Sequence, residues 1–103
     1  MARDAYLDIF IGESLDQLQK AGDDLLLLEK SPSDAGILNR IFRAMHTLKG
    51  GAALDGLEKI GDLAHRLENI FGLVRDRSVQ LDADGFDTVY AAVDLLTTLV
   101  NGL

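Results

Sequence analysis

The sequence predicts an all-α protein, an antiparallel up-down four-helix bundle, from two observations. Apolar residues recur at every third or fourth position through nearly the whole chain, which is the spacing of one stripe on an α-helix, and nothing alternates as a strand would. Three short clusters of breaking and capping residues cut that pattern into four segments, and connections of about three to seven residues between amphipathic helices favour antiparallel neighbours.

The first helix is expected over residues 4–30, with Leu7, Phe10, Ile11, Ser14, Leu18, Ala21, Leu25 and Leu28 on one stripe. Ser31-Pro32-Ser33-Asp34 ends it, because a proline opposes helix in the residue before it, and Ser33 or Asp34 can accept a free backbone N–H at the next start. The second helix, over 34–54, carries Ile37, Ile41, Met45, Leu48 and Ala52. Asp55-Gly56 is a turn signal, after which Leu57, Ile60, Leu63, Ala64, Leu67, Ile70, Phe71 and Val74 mark a third helix over 57–76. Asp82 or Asp84 caps a fourth over 84–102, with Phe86, Val89, Tyr90, Val93, Leu96, Thr97 and Val100 inward and Gly102 suited to its end.

A chain of 103 residues has room for one domain with one core. At 48% hydrophobic and 26% charged residues it is neither disordered nor apolar enough anywhere to cross a bilayer. Asp4 stands where the apolar part of a secretory signal would begin, so a cytosolic protein is expected, with no membrane partner. The net charge of −7 opposes nucleic acid, whose binding is driven by Lys and Arg. Without cysteine there is no disulfide, thiolate metal site or thiol nucleophile, and any chemistry falls to His46, His65 and the carboxylates.

Gly50 and Gly51 lie inside the second helical stripe, where each costs about 0.5–1 kcal/mol relative to alanine. Either two helices approach closely there, or the glycines serve the histidine one turn earlier. At about 100° per residue, His46 falls about 110° from the centre of the buried stripe and is expected to be exposed or at its boundary. Its helical neighbours are Phe42, Arg43, Lys49, Gly50 and Ala53, so the ring emerges beside a cation and a patch with little bulk. Glu68 on the third helix is expected at the boundary and could meet His46 across antiparallel helices. A carboxylate accepting Nδ1–H would leave Nε2 with a free lone pair, as a nucleophilic imidazole requires. Spacing alone leaves open a solvated Glu68 or an intrahelical pair with His65.

His46-Thr47-Leu48-Lys49-Gly50-Gly51-Ala52, followed by His65-Arg66-Leu67-Glu68-Asn69, resembles the histidine phosphotransfer (HPt) domain at the N-terminus of CheA-type chemotaxis histidine kinases. The resemblance covers the whole chain, including Ile41-Phe42-Arg43-Ala44 before the histidine and the nineteen-residue interval from His46 to His65. It implies that His46 takes the γ-phosphoryl of ATP from a separate kinase catalytic domain and passes it to an aspartate of a chemotaxis-type response regulator. By the same resemblance Glu68 orients the imidazole, Lys49 balances phosphoryl charge and His65 joins their network. Gly50 and Gly51 let the partners reach the ring. ATP and Mg²⁺ belong to the catalytic domain, so this domain needs no cofactor or metal and is a substrate and carrier, not a catalyst alone. The isolated domain is expected to be a monomer.

The chain departs from the family pattern at Ala53, where a glycine is common, and around Asp55 and Leu57, where an aromatic is common; both lie in the turn after the second helix. The family's usual fifth helix is absent, and the expectation is a domain excised from a larger kinase. A stand-alone or hybrid-kinase HPt relay is the nearest alternative reading. A metal site built from His46, His65 and Glu68 in a helical bundle is the distant one.

Overall fold

The computed structural model describes residues 5–54 and 56–103. They form four helices, α1 (Ala5–Lys30), α2 (Ala35–Leu54), α3 (Glu58–Arg75) and α4 (Ala83–Asn101), with no strand among the described residues. Helix α1 packs against α2 and α4, helix α3 packs against the same two, and neither diagonal pair is in close contact. Across α2 and α3, Asn39 meets Arg75, Phe42 meets Gly72, His46 meets Glu68 and Ala52 meets Gly61. Residue numbers fall on one helix as they rise on the other, so the two are antiparallel. The same holds for α1 and α2, where Phe10 meets Gly51 and Asp24 pairs with Arg40. The bundle measures 47 × 21 × 19 Å, and no helix among the described residues is long and apolar enough to cross a membrane.

The stripes read from the sequence form the core. Leu25, Leu28, Ile41, Met45, Phe71 and Leu96 are fully buried, and the outer members of each stripe, such as Leu7, Leu63 and Ile70, are half-buried. Helix α2 also buries Leu38 and Ala44, which the stripe omits. It packs against both α1 and α3, so its inward face is wider than a single row.

Helix ends follow local chemistry. Asp34, rather than Ser33, receives the Ile37 N–H at 3.1 Å, and Asp82, rather than Asp84, receives that of Gly85 at 2.7 Å. The residue 4 start expected for α1 and the Asp55 half of the turn signal lie outside the described residues. Gly56 has a φ of +68° and closes α2: its N–H donates to the Ala53 carbonyl, and the Leu57 N–H to that of Ala52. Arg77 occupies the equivalent place after α3 with a φ of +63°, its N–H donating to Val74 and that of Ser78 to Leu73. By contrast Gly102 has a φ of −80°, which any residue adopts, so the end of α4 makes no use of its freedom.

A side chain in the left-handed region costs roughly 1–2 kcal/mol that glycine avoids. Arg77→Gly is therefore expected to stabilise the domain by about 1 kcal/mol, raising the midpoint of thermal unfolding by several degrees. An unchanged or lower midpoint would show that Arg77 makes a compensating interaction.

Candidate functional site

His46 projects from the middle of α2 with 65% of its side chain exposed. Its Nδ1–H donates to Oε2 of Glu68 on α3, and Lys49, three residues along α2, donates from Nζ to Oε1 of the same carboxylate at 2.8 Å. Both oxygens of Glu68 are thus occupied by groups from the neighbouring helix. In the neutral ring this hydrogen bond keeps the proton on Nδ1 and the lone pair on Nε2, on a side chain that is mostly exposed.

Glu68 is not at the boundary, as its position on the α3 wheel suggests, but buried with 5% of its surface exposed. The wheel describes only the residue's own helix. Here small residues, Ala52 on α2 and Gly61 on α3, bring the two helices together, and the His46 and Lys49 side chains close over the carboxylate. Burial alone would raise the Glu68 pKa. Hydrogen bonds from Lys49 and then His46, with the Lys49 charge, outweigh it and hold the carboxyl below its ordinary value, so it stays ionised as an acceptor.

His65 stands apart. It is exposed on α3, makes no hydrogen bond or ion pair with His46, Lys49 or Glu68, and forms one wall of a shallow groove whose other wall includes Lys49. The intrahelical His65–Glu68 pair is not formed either, because both Glu68 oxygens face α2. Among the described residues no three His, Asp or Glu side chains converge as metal ligands would. Lys49 is committed to Glu68 in this state, which places its cation one carboxylate away from the imidazole. Arg43 and Arg66 are exposed.

The paired glycines divide their work. A Cβ on Gly50 would meet nothing within 4 Å, so this position leaves open space one turn beyond His46. A Cβ on Gly51 would lie 2.9 Å from Cδ1 of Phe10, a buried ring on α1. Gly51 therefore serves helix packing, and of the two glycines only Gly50 leaves open space beside α2. Gly51→Leu is expected to destabilise the domain by roughly 1–3 kcal/mol through overpacking against Phe10. Gly50→Ala should instead raise the unfolding midpoint, in keeping with a helix-propensity gain of up to about 1 kcal/mol. Equal effects of the two substitutions in thermal melts would contradict this division.

Two neighbours carry more structure than their spacing announces. The Phe42 ring lies nearly parallel to that of His46, 12° between planes with centroids 6.5 Å apart, and the Arg75 guanidinium sits 4.2 Å from the Phe42 centroid. The i to i+4 interval from Phe42 to His46 is a sequence signal for the first contact. Nothing in the sequence places Arg75, near the end of a different helix, over that ring.

Comparison with known proteins is consistent throughout. The family model described as Hpt domain matches residues 5–102. The chemotaxis protein CheA of Bacillus subtilis is 41% identical over 103 residues, covering 100% of this chain, which spans 15% of that relative's length. The CheA phosphotransferase domain from Thermotoga maritima superposes with a TM-score of 0.91 at 38% identity, covering 99% of this chain and 97% of that one. The phosphorylated P1 domain of CheA3 in complex with CheY6 from R. sphaeroides gives a TM-score of 0.87 at 28% identity, covering 97% of this chain and 78% of that one.

Proposed function

The chain belongs to the Hpt domain family, as a CheA-type member, and from that footing we propose that it is the phosphoacceptor and phosphotransfer domain of a chemotaxis histidine kinase, with His46 as the acceptor. The observation that carries this reading is the exposed His46 imidazole, tied at Nδ1 to the buried Glu68 carboxylate, with open space at Gly50 one turn further along the helix.

The chemistry runs in two displacements. In the first, the Nε2 lone pair attacks the γ-phosphorus of ATP held with Mg²⁺ by a separate catalytic domain; the N–P bond forms as the bond to the β,γ-bridging oxygen breaks, and ADP leaves with that electron pair. The ring, still protonated at Nδ1, becomes cationic, and the Glu68 carboxylate offsets the charge where it appears. In the second, a carboxylate oxygen of a response-regulator aspartate attacks the same phosphorus, and the N–P electron pair returns to Nε2. The domain binds no nucleotide of its own in this scheme. Lys49, held next to the imidazole through Glu68, can turn part of its charge toward the phosphoryl oxygens. The domain is proposed to act in the cytoplasm, where ATP is available to the kinase, and the isolated domain is proposed to be a monomer.

Incubation with ATP, Mg²⁺ and a CheA-type catalytic core should give a base-stable, acid-labile phosphate on the chain, which then disappears on addition of the receiver domain of a chemotaxis response regulator. A chain that stays unlabelled, or a label that is acid-stable, would refute the proposal.

A further inference from the structure

A single hydrogen bond to Nδ1 does not fix the plane of an imidazole. The ring can still swing about the line joining His46 Nδ1 to Glu68 Oε2, and Nε2 moves with it. We propose that Phe42 and Arg75 are positioning residues for His46, supplying the second constraint that keeps Nε2 directed outward; this rests on the phosphoacceptor reading of His46. Phe42 lies one turn before His46, with its ring 12° from parallel at a centroid distance of 6.5 Å, within the range at which aromatic rings interact.

Phe42 can hold another ring only if it is itself held, and α3 holds it at two points. Gly72 presents backbone to the ring edge: a Cβ there would sit 3.4 Å from Phe42 Cε2. Arg75 lies 4.2 Å from the ring centroid, attracted to the negative face of the π-system, and its Nη1 reaches Asn39 Oδ1 at 3.5 Å. The orienting carboxylate, the glycine and the arginine all come from α3, so His46 is aimed by the packing of α2 on α3 as a unit. Neither Phe42 nor Arg75 touches the reacting atoms. Both act through the orientation of His46.

The test combines a structural and a kinetic readout. Phe42→Leu keeps an apolar side chain and removes the ring, Phe42→Tyr keeps the ring, and Arg75→Gln removes the cation from a side chain that is 34% exposed. In the unphosphorylated domain, ¹³C relaxation of the His46 ring should report greater motion in Phe42→Leu, intermediate motion in Arg75→Gln and wild-type motion in Phe42→Tyr. Phosphoramidate is a small donor that requires no docking: Nε2 attacks phosphorus, the P–N bond breaks, and ammonia leaves after taking up a proton. Its rate, and kcat with the kinase core, should fall about three- to tenfold in Phe42→Leu, with KM unchanged, as expected for loss of alignment. Phe42→Tyr should restore both. Unaltered ring motion and rates would overturn the proposal, as would a defect confined to KM, which would assign these residues to docking. If wild-type His46 accepts no phosphoryl group, the acceptor reading fails on its own, and ring relaxation still decides whether Phe42 and Arg75 hold the imidazole.

Discussion

Replacing His46 with glutamine is expected to abolish phosphorylation of the domain by ATP and a CheA-type catalytic core, with the melting curve unchanged. The side chain is 65% exposed and lies outside the core, so its loss leaves packing intact. Glutamine keeps an N–H that can donate to Glu68 but offers no basic ring nitrogen, so the nucleophile alone is removed. His65→Gln is the matching control. His65 makes no hydrogen bond or ion pair with His46, Lys49 or Glu68, and its replacement is expected to leave labelling near the wild-type level. Label persisting in His46→Gln and vanishing in His65→Gln would reverse the assignment of the site.

Removing the Glu68 carboxylate should produce the next largest effect. Glu68→Ala frees the imidazole to take either tautomer, removes one of the two constraints on its orientation, and deletes the charge that offsets the phosphorylated ring. The phosphorylation rate is expected to fall on the order of tenfold to a hundredfold, the size of effect seen when a carboxylate that orients a histidine is lost elsewhere. The fold should survive, because Lys49 is 32% exposed and can turn to water.

The same residue gives a pH signature of stability. Its folded pKa is lowered from 4.5, so the stabilisation it provides is present above the unfolded value and lost as pH falls through the lower folded value. Urea unfolding between about pH 6 and pH 3 should thus be less steeply acid-dependent in Glu68→Gln than in the wild type. A parallel dependence in the two proteins would show that Glu68 is not a coupled carboxylate.

The helices were legible because their cores are periodic. Stripes such as Leu18, Ala21, Leu25 and Leu28 alternate at three and four residues and are buried in that register. Helix starts were legible to within two residues, as Ser33 or Asp34 and Asp82 or Asp84, between which the structure selects Asp34 and Asp82, and the turn after α2 was legible at Gly56. Arg77 shows where that reasoning stops, since the geometry of the chain forces a left-handed residue at a position whose side chain gives no warning. The exposure of His46 also follows from angle alone. The depth of Glu68 does not, because it depends on how closely α3 approaches α2 and on which side chains of α2 close over it. Gly51 is the same kind of case: sequence marks the glycine pair, and only the position of Phe10 on another helix separates a packing role from an open one. The contact of Arg75 with Phe42 joins residues 33 positions apart and has no local signature.

The central claim is that Nε2 of His46 carries the phosphoryl group while Nδ1 stays bonded to Glu68. Two-dimensional ³¹P–¹H correlation spectroscopy of the domain after incubation with ATP, Mg²⁺ and a CheA-type catalytic core tests it directly. The expected result is one phosphohistidine, at His46, with phosphorus coupled to both carbon-bound ring protons as attachment at Nε2 requires. Phosphate on Nδ1 of His46, on His65 or on no histidine would contradict it.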